Sequence, residues 1–213
     1  MPAFSSVQTP YAAIPLWLKC AFTVWIIVWA PSYVVLLGAQ NFFWLCNLAS
    51  FLLLVALWSE RRTLMSMQWL AVALVGGLWS FDVAVAALTG MHPIGGTEYM
   101  FDAEHPPMAR AMSLYHVILP LVAGLGVAKL GYARDALVWQ SLLTLVVVPL
   151  TYLLTEPERN INWVHGPFGQ HQEWLPPLVY LGALMVIWPL LIYLPVHLLT
   201  RWQQRSGRLS GLS

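Results

Sequence analysis

From Ala21 to Ser59 the chain runs for 39 residues without one Asp, Glu, Lys or Arg. A helix rises about 1.5 Å per residue and a bilayer core is about 30 Å thick, so about 20 residues cross once. The run is therefore long enough for two crossings. In its middle, Gly38-Ala39-Gln40-Asn41 has the residue types that stop one helix and start another. Charged residues make up 9% of the 213, against about 25% in a soluble domain. Both observations point to a multi-pass membrane protein.

Extended along the chain, the same reading predicts an all-α, polytopic transmembrane helix bundle of about six spans. One domain covers 1–213, with spans at about 15–38, 41–58, 66–89, 110–128, 136–155 and 176–200. The opening residues MPAFSSVQTP lack the basic region of a cleavable signal, so the first apolar segment is expected to be a retained span. No internal repeat and no low-complexity segment stands out. Pro31, Pro120, Pro149, Pro189 and Pro195 fall inside spans, where kinks are the expected result.

Basic residues set the orientation. On the side of both termini lie Lys19, Arg61, Arg62, Lys129, Arg134, Arg201, Arg205 and Arg208, with only Arg110 and Arg159 opposite. This asymmetry predicts a cell-membrane protein with both termini cytoplasmic. Glu98, Asp102, Glu104, Glu156, Glu158 and Glu173 all fall on the outer side. Trp17, Trp58, Trp139 and Trp202 lie near one boundary, and Trp163 and Trp174 near the other, as aromatic belts do. The net charge of +1 gives no sign of a nucleic-acid partner.

Several polar groups share a level beneath the outer face. Asp82 lies about 10 Å in from the end of its span, and His116 and Asn47 about 9 Å, with Tyr152 and Tyr180 nearer the surface. A carboxylate at mid-membrane costs about 2.5–3.5 kcal/mol on insertion scales, so Asp82 should face the bundle interior and find a partner. The expected partner is His116 or Arg110. Asp82 and His116 are the candidate catalytic acid/base pair, because a carboxylate beside an imidazole can position a proton. A structural pair joining two helices is the alternative.

The most polar stretch, TEPERNINWVHGPFGQHQEW (155–174), is read as a loop folded back over this layer. The candidate substrate-binding residues are Arg110 and Arg159, suited to an anionic headgroup, with Asn47 in the layer and Glu156, Asn160 and Asn162 in the loop. Cys46 adjoins Asn47 and offers a thiol nucleophile to work with His116, although a cysteine on an apolar helix usually only packs. With Cys20 it forms no CxxC and no disulfide framework. His92, His105, His165 and His171 sit in the outer loops, but at no metal-binding spacing, so no metal ligand and no cofactor is assigned.

NFFWLCN (41–47), GGTEYMFD (95–102), SLYHVILP (113–120), PERNINWVHGP (157–167) and YLPVHLL (193–199) together resemble a group of bacterial multi-pass membrane proteins without an assigned activity. The likeness runs from the second span onward and implies a bacterial inner membrane, but no substrate or site residue. Three functions remain. The leading one is an intramembrane enzyme acting on a lipid or lipid-linked substrate, with membrane lipids as its surroundings. The others are an accessory subunit held by a membrane-protein partner, and a transporter for a small solute or proton.

Overall fold

The structure is a computed structural model that describes residues 13–206. Eight α-helices make up its frame: α1 (Leu16–Leu37), α2 (Leu45–Ser59), α3 (Arg62–Thr89), α4 (Pro107–Met112), α5 (Tyr115–Leu130), α6 (Ala136–Leu154), α7 (Pro177–Ile187) and α8 (Leu194–Arg205). Among the described residues there is no strand. Five helical stretches are long and apolar enough to cross a membrane: Leu16–Leu37, Arg62–Thr89, Pro107–Leu130, Ala136–Leu154 and Pro177–Arg205.

The second predicted span is the short one. Its α-helix starts at Leu45 rather than Asn41 and has 15 residues, preceded by a 3-10 stretch over Ala39–Phe43. Fifteen residues rise about 22 Å, and five of 3-10 helix add about 10 Å. The two together approach the thickness of the bilayer core. The fourth predicted span is broken between α4 and α5 at Ser113-Leu114. The last is continuous but widens into a π-helical stretch at Trp188–Tyr193. Pro189 lies within this widening and Pro195 two residues beyond it, and both lack backbone donors.

α3 is the hub, with α2, α5, α6, α8 and the π-helical stretch packed around it. It passes closest to α5 at Gly76, where an added Cβ would lie 2.5 Å from the His116 carbonyl oxygen and from Pro120 Cγ. Only a glycine permits that approach. α3 stops at Gly90, whose φ of 74° closes the helix in a left-handed cap. The main core lies between α1, α2, α3 and α5, and a second joins the start of α2 to α6, α7 and Val164. The outer sides of the helices are apolar and uncovered, with Val35 83% and Leu88 86% exposed. So broad an apolar surface fits a lipid solvent. Trp17, Trp58, Trp139, Trp174 and Trp202 are all exposed near the two ends, consistent with interfacial belts.

Candidate functional site

Asp82 is fully buried, but its partner is neither His116 nor Arg110. The loop after α3 turns back and surrounds the carboxylate. The backbone N–H groups of Ile94 and Gly95 donate to Oδ1 at 2.7 and 3.3 Å. The Thr97 hydroxyl donates to Oδ2, and His92 Nδ1 lies 3.2 Å from the same oxygen. Because the Thr97 hydroxyl gives its proton to Asp82, its oxygen accepts from His92 Nδ1 at 2.9 Å, which places the imidazole proton on Nδ1. The expected pairing fails for a local reason: residues 10 to 15 positions away reach the aspartate first.

His116 stands in a different group. Its ring lies between Trp79 and Tyr115, with centroids at 4.9 and 4.1 Å. Tyr115 Oη is 3.1 Å from Cys46 Sγ. His116 Nδ1 is 3.0 Å from the Ser113 carbonyl oxygen. A carbonyl only accepts, so Nδ1 carries the proton and Nε2 holds a lone pair. Asn47, also fully buried, donates from Nδ2 to Tyr33 Oη at 2.8 Å and to the Asn41 carbonyl at 2.7 Å. Its Oδ1 is buried and has no partner among the described residues. Tyr99 caps the group from the 90–106 loop, accepting from Trp79 Nε1 at 3.2 Å, and burial pushes its phenol pKa up. The arrangement thus offers a thiol, a hydroxyl beside it, an imidazole with an open acceptor and an amide oxygen with nothing bound.

The 155–174 loop does fold onto the bundle, and its polar residues are consumed in holding it there. Asn162 Oδ1 accepts from the Leu45 N–H at 2.9 Å and so caps α2 from a distant loop. Its Nδ2 donates to the Phe43 carbonyl at 2.7 Å and to Thr151 Oγ1 at 3.0 Å. Asn160 Oδ1 accepts from the His165 N–H at 2.9 Å, and its Nδ2 donates to the Gly166 carbonyl at 2.8 Å. Asn160, Asn162, Trp163 and Phe168 all have φ between 42° and 59°, a region non-glycine residues enter at a cost. Arg159 links Glu156, 2.8 Å from its Nε, to the Leu37 carbonyl at the end of α1, 2.8 Å from Nη1. This guanidinium holds the Glu156 carboxyl below its usual range. Arg110 donates to the Met100 carbonyl at 3.3 Å, and its Nε is buried without a partner among the described residues.

Of the eight residues singled out from sequence, the structure therefore gathers His116 and Asn47 into one group, together with Cys46. Asp82 and Arg110 hold the 90–106 loop, while Glu156, Arg159, Asn160 and Asn162 hold the second loop. Sequence reasoning passed over Tyr115, Tyr99 and Tyr33, which look like ordinary core aromatics until α1, α2 and α5 are brought together. Farther along α3, away from this layer, lies another polar residue. Gln68 is fully buried there, and neither amide atom has a partner among the described residues.

Among the described residues no three His, Cys, Asp or Glu stand close enough to hold a metal. No family model, curated protein or solved structure matches the chain. The resemblance read from the sequence gains no family from these comparisons, and the residue roles rest on geometry.

Proposed function

We propose that the chain is an intramembrane enzyme that transfers or hydrolyses an acyl group of a lipid or lipid-linked substrate, with Cys46 as nucleophile and His116 as base. The supporting observation is the contact chain from Cys46 Sγ to Tyr115 Oη at 3.1 Å and from the Tyr115 ring to the His116 ring at 4.1 Å. In this reading the thiol proton passes to His116 Nε2, which a side-chain rotation must first bring within hydrogen-bond reach of Sγ. The thiolate adds to the ester carbonyl, and the C–O bond breaks. The departing alkoxide takes the proton back from His116. Water or a second alcohol then attacks the thioester and restores the thiol. Asp82 serves as a positioning residue, through the loop that carries Tyr99 over the site.

The test is lipid composition in cells expressing the wild-type chain, Cys46→Ala or His116→Gln, with the intact mass of the purified protein as second readout. The wild-type chain should change the native lipid profile and both variants should not. A hydroxylamine-labile acyl adduct should form on the wild type and not on Cys46→Ala. An unchanged lipid profile in the wild type, or equal activity in Cys46→Ala, would sink the proposal.

One observation favours an accessory role in a larger assembly. Ala73, Gly77, Ser80 and Ala84 form a small-residue seam along α3, and nothing lies within 4 Å of a Cβ added at Gly77. Such seams admit close helix neighbours. A single species with no co-purifying protein in gentle detergent would count against that role. The predicted cytoplasmic placement of both termini belongs to the same proposal, and tags at the two ends, probed from either side, would test it.

A further inference from the structure

We propose a binding site for the phosphate headgroup of an anionic phospholipid at the end of the bundle opposite the Cys46 group. A cleft of about 240 Å³ there is lined by Arg134, Arg201, Gln204 and Arg205. Among the described residues none of these arginines forms a hydrogen bond or an ion pair with a carboxylate. Three guanidinium groups around one cleft, with no acid in its lining, leave positive charge that an anion would balance.

The cleft is built rather than incidental. Tyr132, fully buried, anchors the turn that carries Arg134. Its hydroxyl is 2.7 Å from His197 Nδ1 on α8, and its carbonyl accepts from Arg62 Nη2 at 2.6 Å and from Gln204 Nε2 at 3.4 Å. The Ala133 N–H donates to Ser66 Oγ on α3 at 2.9 Å. Arg134 is thereby held against the Arg201 and Arg205 turns of α8, four residues apart on one face.

Depth selects the kind of anion. Trp139 and Trp202, at the same end of the bundle, are 53% and 52% exposed, as residues of an aromatic belt are. Val138 and Leu198, four residues after Arg134 and three before Arg201, present uncovered apolar surface, 59% and 55% exposed. A headgroup phosphate in the cleft would therefore have its acyl chains on Val138 and Leu198, where a soluble phosphate leaves that surface bare. Basic pockets between helices at this depth suit anionic lipids.

Native mass spectrometry of the full chain tests this, after release from vesicles of equal parts phosphatidylglycerol and phosphatidylcholine. The wild type should retain phosphatidylglycerol preferentially. Arg134→Gln and Arg201→Gln should each reduce that preference about fivefold. Arg201→Lys should keep much of it, and Arg61→Gln, at the same end but outside the cleft lining, should leave it unchanged. Melting in phosphatidylcholine alone checks that the variants are folded. Equal retention of the two lipids by the wild type would overturn the proposal. So would an undiminished preference in the folded glutamine variants, or loss of the bound lipid to millimolar inorganic phosphate.

Discussion

Replacing Asp82 is the sharpest test of how the bundle holds its 90–106 loop. In Asp82→Ala the Ile94 and Gly95 N–H groups, the Thr97 hydroxyl and His92 Nδ1 all lose the oxygen they surround. Each buried donor left unsatisfied costs about 1–3 kcal/mol. All four of these residues sit on the loop, which can swing toward water, so the costs do not simply add. A loss of about 3–5 kcal/mol is the reasonable scale for removing one side of a buried charged network. Asp82→Asn keeps an acceptor for the two backbone N–H groups but turns a donor toward Thr97 and His92, and should lose about 1.5–3 kcal/mol. Thermal unfolding in detergent should rank wild type above Asp82→Asn above Asp82→Ala. Limited proteolysis between residues 90 and 106 should accelerate in the same order, before global unfolding. If Asp82→Ala melts with the wild type and its loop stays resistant to protease, the carboxylate is not the anchor described here. If that variant is stable but has lost lipid turnover, Asp82 belongs to the chemistry after all.

The glycines give a graded series. Gly76→Ala should be strongly destabilising because its Cβ meets backbone and a proline ring, whereas Gly126→Ala meets the flexible Met65 side chain and should cost less. Gly77→Ala points into open space and should gain about 0.5–1 kcal/mol in helix propensity, measured by detergent unfolding. Asn162→Ala removes the cap on Leu45 and two further bonds and should cost about 2–4 kcal/mol, read by the same unfolding measurement. His165 stacks on His171 with ring centroids 5.6 Å apart, and burial first, then that neighbour, hold its pKa below the ordinary 6.5. The unfolded chain therefore binds the proton more readily, and the loop should lose stability as pH falls through about 6.5. Hydrogen exchange over residues 157–172 should show that loss, and His165→Gln should flatten it.

Composition made the membrane class legible, because a 39-residue run without charge has few other uses. Several helix ends fall at residues that stop or start helices, as at Gly38, Gly90 and Pro177. The short α2 was not, since Asn41 to Trp44 is as apolar as the helix it precedes and only its 3-10 winding separates the two. The loop anchors were half legible. Asn160 and Asn162 stand in a loop expected to fold back, and their side chains bond Gly166, Phe43 and Thr151. The partner of Asp82 was misread because spans were compared by depth alone. Depth identifies which groups share a level, but not that Thr97, 15 residues along the chain, can return to the same carboxylate.

That misreading bears on function, because the polar layer contains two kinds of group. Asp82 has both oxygens occupied by donors, and Asn162 has its oxygen and its amide engaged. A group in that state can take a substrate proton or bind a headgroup only by releasing the loop it anchors. His116 and Asn47 differ from them. The imidazole spends one nitrogen on Ser113 and keeps the other as an acceptor, while Asn47 donates twice and leaves its oxygen empty. An unfilled acceptor in a low-dielectric interior is costly to keep unless something fills it in use. Chemistry in this bundle is therefore best sought where hydrogen bonding is incomplete, around Cys46, Asn47, Tyr115 and His116, rather than at the most conspicuous charge.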